Sequence, residues 1–164
     1  MVIDCYNVLH ADLPPGLAGL DEAGLCRAVG RTAWAASGVT VVADGRPKPG
    51  GAASSPAAGV DLIYSGGSGG RSADDVIVEL IAWHSAPRRL TVVSSDRAIR
   101  AAARRRRARD WPSDVFVTRL VEQLRRTSHG VTHDLGESTR PQVEPLPPEL
   151  VTRWKRQFGF RDDD

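Results

Sequence analysis

Short apolar, β-branched runs alternate along the chain with longer stretches of helical periodicity. Residues 1–3, Val39–Ala43, Val60–Tyr64, 90–93 and 115–117 have the length and composition of buried strands. Between them, residues 21–37 carry Leu25, Val29 and Ala33 at helical spacing, and residues 72–84 place Val76, Ile77, Leu80 and Ile81 on one face. Two further helices are predicted over 96–107 and 118–126. Strands that alternate with helices in this way predict an α/β fold, a mostly parallel central sheet covered by helices on both faces.

Two connections stand apart from this rhythm. Residues 66–70, Gly-Gly-Ser-Gly-Gly, form a flexible loop directly before a predicted helix, and residues 47–59 are rich in Gly, Ala, Pro and Ser. After Arg126 the sequence is loop-like as far as Pro148; Leu150, Trp154 and Phe158 then recur every four residues on a short final helix, expected to pack onto the body. With 164 residues, the chain is expected to form one domain over 1–126 and a Pro-containing tail over 127–164. No apolar run is long enough to span a bilayer, and Met1-Val2-Ile3 leads straight into polar residues, so a cytoplasmic protein without a membrane partner is expected. Cys5 and Cys26, the only cysteines, lack metal-ligand spacing and fit a reducing compartment.

The net charge of +2 conceals an uneven distribution. From Arg88 to Arg126 there are twelve arginines against four acids, and the rest of the chain is correspondingly acidic. The densest part, Arg104-Arg105-Arg106-Arg107 with Arg109, suits either contact with phosphate backbones or a solvated helix face.

The acids fall in telling places. Strand one runs into Asp4, strand two into Asp44, and strand four into Ser94-Ser95-Asp96, while Asp74-Asp75 opens the helix after the glycine loop. In parallel sheets, ligands collect outside the carboxyl ends of the strands. Carboxylates gathered there repel one another unless a cation joins them, and hard oxygen ligands suit Mg²⁺ or Mn²⁺ in phosphodiester hydrolysis. Each acid also has a structural alternative. Ser72-Ala73-Asp74-Asp75 matches a capping box, Asp96 can serve the first turn of its helix, and Asp44 before Gly45 can be a turn residue. For Asp4 the alternative is weaker, because polar atoms at the end of a central strand need a reason.

Val2-Ile3-Asp4-Cys5-Tyr6-Asn7-Val8-Leu9-His10 resembles the opening of NYN-domain nucleases, especially their bacterial YacP-like branch, which typically reads Asp-Gly-Tyr-Asn. Val42-Ala43-Asp44-Gly45-Arg46, Ser72-Ala73-Asp74-Asp75 and Val93-Ser94-Ser95-Asp96 resemble the later motifs, in order, over about residues 1–126. The resemblance implies a PIN-like three-layer sandwich and metal-dependent endonucleolytic cleavage of RNA. Asp4, Asp74 and Asp96 become the leading metal-associated acids, joined by Asp44 and Asp75, with Asn7 positioning ligand or substrate through its amide. Ser95 would orient a water or an acid, and Arg46, Arg71, Arg97, Arg100 and Arg104 are candidate phosphate contacts within an arginine series reaching Arg109. Mg²⁺ or Mn²⁺ is the implied cofactor, and RNA the implied partner, single-stranded, structured, or within ribosomal and other RNA–protein complexes. Cys5 departs from the family's usual glycine and puts a side chain near the site.

Rival readings are weaker. Residues 65–72 follow a strand as a phosphate-binding loop would, but Ser65 occupies the first glycine position and Arg71 the lysine. A haloacid-dehalogenase-like phosphatase would need an acid where Tyr6 stands. His129 and His133, beside Asp134, read as solvated residues more readily than as a second metal site. The serious alternative is a PIN-like RNA-binding module without turnover, which the arginines would serve equally well.

Overall fold

The computed structural model assembles the apolar runs into one five-stranded, all-parallel sheet of β1 (Val2–Asp4), β2 (Val39–Ala43), β3 (Val60–Tyr64), β4 (Thr91–Val93) and β5 (Arg109–Trp111), in the order β3-β2-β1-β4-β5. The structure describes residues 1–47, 56–66 and 71–129. The chain divides into units Met1–His133 and Asp134–Asp164, and the account below concerns the first. The expected loop at 67–70, most of the 47–59 connection, the helix around Leu150, Trp154 and Phe158, and the His133–Asp134 pair lie outside the described residues.

Central β1 pairs with β2 through Ile3 opposite Val41 and Asp4 opposite Val42, and with β4 through Ile3 opposite Val93. Side chains alternate across the sheet, so two cores form. Ile3, Val41, Leu62 and Val93 pack against Cys5, Val8, Leu25, Val29, Phe116 and Leu120 from α1 (Cys5–Leu9), α2 (Glu22–Gly30) and α5 (Ser113–His129). Val2, Val42 and Val92 have the opposite parity and are buried with Val76, Ile77, Ile81, Ile99 and Ala103 of α3 (Ala73–Trp83) and α4 (Arg97–Arg105), which pack together. This is the expected layered arrangement. The order of the chain through β1, β2 and β3 reverses before β4, which places a crevice between β1 and β4 at their carboxyl ends.

Several boundaries differ from the sequence expectation. Residues 115–117 are helical: Pro112 ends the last strand, Ser113 opens α5, and Phe116, Val117 and Leu120 are buried from its inner face. The fifth strand is instead Arg109–Trp111, an edge strand whose Asp110 is bound by arginines of α4. The helix expected over 21–37 stops at Gly30, where a Cβ would collide with Ala57. Thr32 then restarts the chain as a short 3-10 segment, Ala33–Ser37, its hydroxyl accepting the Trp34 N–H. Residues 5–9, read as a continuation of the first polar motif, form α1, with Asp4 as its N-cap.

Candidate active site at the carboxyl edge of the sheet

Asp4 ends β1 at the topological crevice and is only 3% exposed. Three donors fix it, two from Asn7 and one from Ser94. Oδ1 accepts the Asn7 N–H at 3.2 Å, and Oδ2 accepts the Asn7 side-chain amide at 2.6 Å and the Ser94 hydroxyl at 2.9 Å. Burial pushes the Asp4 carboxyl above its ordinary value; these donors oppose that rise, and the charge on Asp44 adds to it.

The N-termini of α3 and α4 lie on the face to which Asp4 points, and each brings an acid. Asp74 stands in the first turn of α3 and has no hydrogen-bond partner among the described residues. Its carboxyl is raised by burial first, and then by the like charges of Asp4, Asp96, Asp44 and Asp75. Asp96 caps α4, with Oδ1 accepting from Ala98 N at 2.7 Å and Ile99 N at 3.0 Å. Its own N–H donates to Ser94 Oγ at 3.0 Å, so one buried hydroxyl bridges Asp4 and the backbone of Asp96. Ser94, fully buried, was not singled out by sequence reasoning. Its only signal there was its place one residue beyond an apolar strand, between Val93 and the acid motif.

Two other acids act on the framework. Asp44 Oδ1 accepts the Ala73 N–H at 2.6 Å and the Ser65 hydroxyl at 3.3 Å, tying the end of β2 to the start of α3. Asp75 completes the capping box: its Oδ2 accepts from Ser72 N and Ser72 Oγ, each at 3.0 Å, and these bonds hold its carboxyl below the ordinary value. The capping alternative for Asp75 is therefore realised in its geometry.

The donor set suits a hard divalent cation: carboxylate oxygens, with Asp74 raised by burial and then by neighbouring like charges. Among the described residues no three carboxylate, imidazole or thiol groups are gathered closely enough to hold one ion. Mg²⁺ does not require that, since it commonly keeps several waters and takes one or two carboxylates from the protein.

The remaining candidates divide by position. Ser95 Oγ accepts the Ser113 N–H at 3.1 Å, joining the β4 turn to the start of α5. It also lines, with Tyr6, Asn7, His10, Asp12 and Asp114, an open cleft of about 420 Å³ beside Asp4. Arg97, first residue of α4, is exposed next to Asp96 with no ion-pair partner among the described residues. Arg46 donates to the Gly66 carbonyl at 2.9 Å, and Arg71 pairs with Glu79. Arg100 and Arg104 both converge on Asp110, at 2.9 and 2.8 Å. They join α4 to β5; Arg100 lies one turn from Asp96, whose carbonyl accepts its N–H at 3.1 Å, whereas Arg104 and Arg105 to Arg109 lie toward the opposite edge of the sheet, since α4 spans about 13 Å at 1.5 Å per residue.

Cys5 does not intrude on the site. It occupies the first position of α1, fully buried in the core, and Arg107 is the one described non-glycine residue with positive φ, so glycine-only backbone is not required at Cys5. Burial in these apolar surroundings pushes its thiol up.

A parallel sheet in this order, with aspartates converging from strand ends and helix N-termini, defines a PIN-like nuclease fold. The family model of the YacP-like NYN domain matches residues 1–158, and the chain belongs to that family. Among solved structures it is similar to Rae1 (YacP) from Bacillus subtilis, with a TM-score of 0.59 and 18% identity over 79% of this chain and 78% of that one. A tryptophan-to-leucine variant of the same Bacillus subtilis protein gives 0.56 and 20% identity over 76% of each chain. No curated protein matches the chain. At these identities the likeness to solved structures speaks to the fold.

Proposed function

We propose that this chain is a divalent-metal-dependent endoribonuclease acting at the edge where β1 and β4 diverge. The observation that carries the reading is Asp4: a buried carboxylate held by three donors at the crevice, near Asp74, whose carboxyl is raised by burial and then by the charges of Asp4, Asp96, Asp44 and Asp75. Stability alone gives no reason to assemble such a group, since a buried carboxylate beside like charges destabilises a fold. Two of these acids, Asp4 and Asp74, would hold Mg²⁺ or Mn²⁺, and Asp96 adds its charge beside them. The ion, when bound, supplies Lewis acidity toward the phosphodiester and lowers the pKa of the attacking water.

The chain's own contributions follow from its geometry. Asn7 and Ser94 orient Asp4 and oppose the rise that burial gives its carboxyl, and Ser94 sets the turn that presents Asp96. Asp44 and Asp75 fix the start of α3 and so place Asp74. The N-termini of α3 and α4 carry partial positive charge that favours anions at this edge. Arg97 is the nearest candidate to meet a phosphate; Arg46 and Arg71 border the same edge. Ser95 and the cleft beside Asn7 would receive the nucleotide flanking the scissile bond. No described helix is long and apolar enough to cross a membrane, and both cysteines are free, which supports the cytoplasm as the compartment.

The test is cleavage of labelled single-stranded and hairpin RNA, with matched DNA, by wild-type protein and the Asp4→Asn/Asp96→Asn variant in Mg²⁺, Mn²⁺ or EDTA. Cutting that needs the metal and disappears in the variant is expected. Tight binding of RNA without metal-dependent cutting would instead favour the binding module.

A further inference from the structure

The amino edge of the sheet, opposite the acids, carries a second charged surface. Helix α3 ends there in Trp83, which is 70% exposed. The C-terminal ends of α3 and α4 are fastened together: Arg106 donates from Nη2 to the His84 carbonyl at 3.1 Å and from Nε to the Ile81 carbonyl at 3.4 Å. Arg107 then turns the chain in the left-handed region, φ 61°, and Arg109 N donates to Leu90 O at 2.9 Å. That bond sets Arg109 beside the short Pro87–Arg89 segment. Arg88, Arg89, Arg105, Arg107 and Arg109 are exposed there and have no ion-pair partner among the described residues. The nearby acid, Asp110, is already taken by Arg100 and Arg104.

The positive field is felt by a group that does not contribute to it. His84, between these elements, is held below its ordinary pKa by burial first, and then by the charges of the chain's amino terminus and of Arg106. An exposed indole among unpaired guanidinium groups combines the two elements that bind single-stranded nucleic acid: a face for a base to stack on, and cations that follow the backbone. A solvated helix face has no use for a tryptophan exposed to this degree, and an apolar protein partner would leave the arginines unpaired.

We propose that Trp83 and Arg88, Arg89, Arg105, Arg107 and Arg109 form an exosite that holds an unpaired segment of RNA on the edge opposite the acids. The inference rests on the nuclease reading only for the identity of the nucleic acid. One helix length, about 13 Å, separates the start of α4 at the acids from this surface, so a strand must run across the α3–α4 face to engage both. The exosite thereby selects long substrates over short ones without touching the scissile phosphate.

The full-length chain is titrated in EDTA with a labelled, unstructured single-stranded RNA, following polarisation and tryptophan fluorescence at several salt concentrations. Trp83→Ala is expected to weaken binding by about tenfold, and Arg105→Glu/Arg107→Glu to weaken it further and lower the salt slope by about 1.4. Trp83→Phe, which keeps a stacking face, retains affinity but abolishes the quenching seen in the wild type. In Mn²⁺, Trp83→Ala and Arg105→Glu/Arg107→Glu cleave a dinucleotide at the wild-type rate while losing rate on long RNA at subsaturating concentration, and Trp83→Phe keeps the wild-type rate on both. Unchanged affinity and salt slope in folded variants would overturn the exosite, as would equal loss on dinucleotide and long RNA. Binding that depends on Trp83 in a protein that cuts nothing would sustain the exosite and remove the nuclease reading. Competition by an acidic peptide equal to that by RNA, without quenching, would overturn the RNA assignment.

Discussion

Replacing Ser94 with alanine separates an acid held for chemistry from one that is merely enclosed. The hydroxyl donates to Asp4 Oδ2 at 2.9 Å and accepts the Asp96 N–H at 3.0 Å, and the side chain is fully buried. A hydrogen bond to an ionised group contributes about 1.5–3 kcal/mol, and a buried N–H left without an acceptor costs about 1–3 kcal/mol. Water entering the edge of the crevice offsets part of this, so Ser94→Ala is expected to lower the unfolding free energy in urea by about 2–3 kcal/mol at pH 7. Its sharper signature is protonic. Asp4 loses one of its three donors, and its carboxyl, already raised by burial, rises further. Because the native pKa of Asp4 exceeds the unfolded one, this group favours the fold below its unfolded pKa, and that contribution is lost as pH rises through the native value. The stability deficit of Ser94→Ala should therefore widen from acid toward neutral pH. The acid limb of the cleavage profile should move to higher pH. Carbon NMR titration of the Asp4 carboxyl reads the same shift directly. A deficit under about 0.5 kcal/mol that does not vary with pH, with an unmoved acid limb, would show that Ser94 only fills space.

Four further outcomes are expected. Asp74→Asn should abolish metal-dependent cleavage yet stabilise the fold at neutral pH by about 0.5 kcal/mol after solvent screening; the gain should vanish as pH falls and Asp74 takes up its proton, which thermal melts at several pH values measure. Asp110→Asn should destabilise by about 1–2 kcal/mol, because the hydrogen bond from Arg104 holds this carboxyl below its ordinary value. That contribution is present above the unfolded pKa and lost on acidification through the native one, so the difference from wild type should shrink in acid melts. Cys5→Gly, which restores the residue usual in the family, should cost about 1–2 kcal/mol in urea unfolding through lost burial and added backbone freedom, without raising the cleavage rate. The thiols of Cys5 and Cys26 should react with a disulfide reagent only on unfolding, since burial pushes Cys26 up to about 12 and Cys5 upward as well.

How far the sequence could be read depended on whether the deciding contact was local. The strands Val39–Ala43 and Val60–Tyr64 were placed to the residue because each is an apolar run closed by polar or glycine neighbours. The capping box at Ser72 and Asp75 was legible for the same reason. β5 was not, because Arg-Asp-Trp has no apolar run; its register comes from β4, and its aspartate from arginines six and ten residues away. The Val115-Phe116-Val117 run imitated a strand until Leu120 and Pro112 are taken with it as one helical face. The acids could be singled out as candidates because strand ends and helix starts bring side chains to one edge in any parallel sheet. Ser94 was missed because its importance lies in a bond across ninety residues to Asp4. Arg100 and Arg104 looked available for phosphate because a sequence cannot show that Asp110 comes back to meet them.

The acids that cap helices at this edge carry a consequence for how such a site can decay. Asp96 and Asp44 each hold a helix start through a single oxygen, a task that asparagine or serine performs about as well without any charge. Loss of turnover would thus leave an easy path: neutral residues at these positions would keep the helices anchored and relieve the mutual repulsion around Asp74. This chain instead carries the ionisable version at each position, together with the buried Asp4, whose carboxyl the charge of Asp44 helps to raise. The scaffold would tolerate neutral residues at this edge, so the charged set answers to the proposed chemistry and not to the fold.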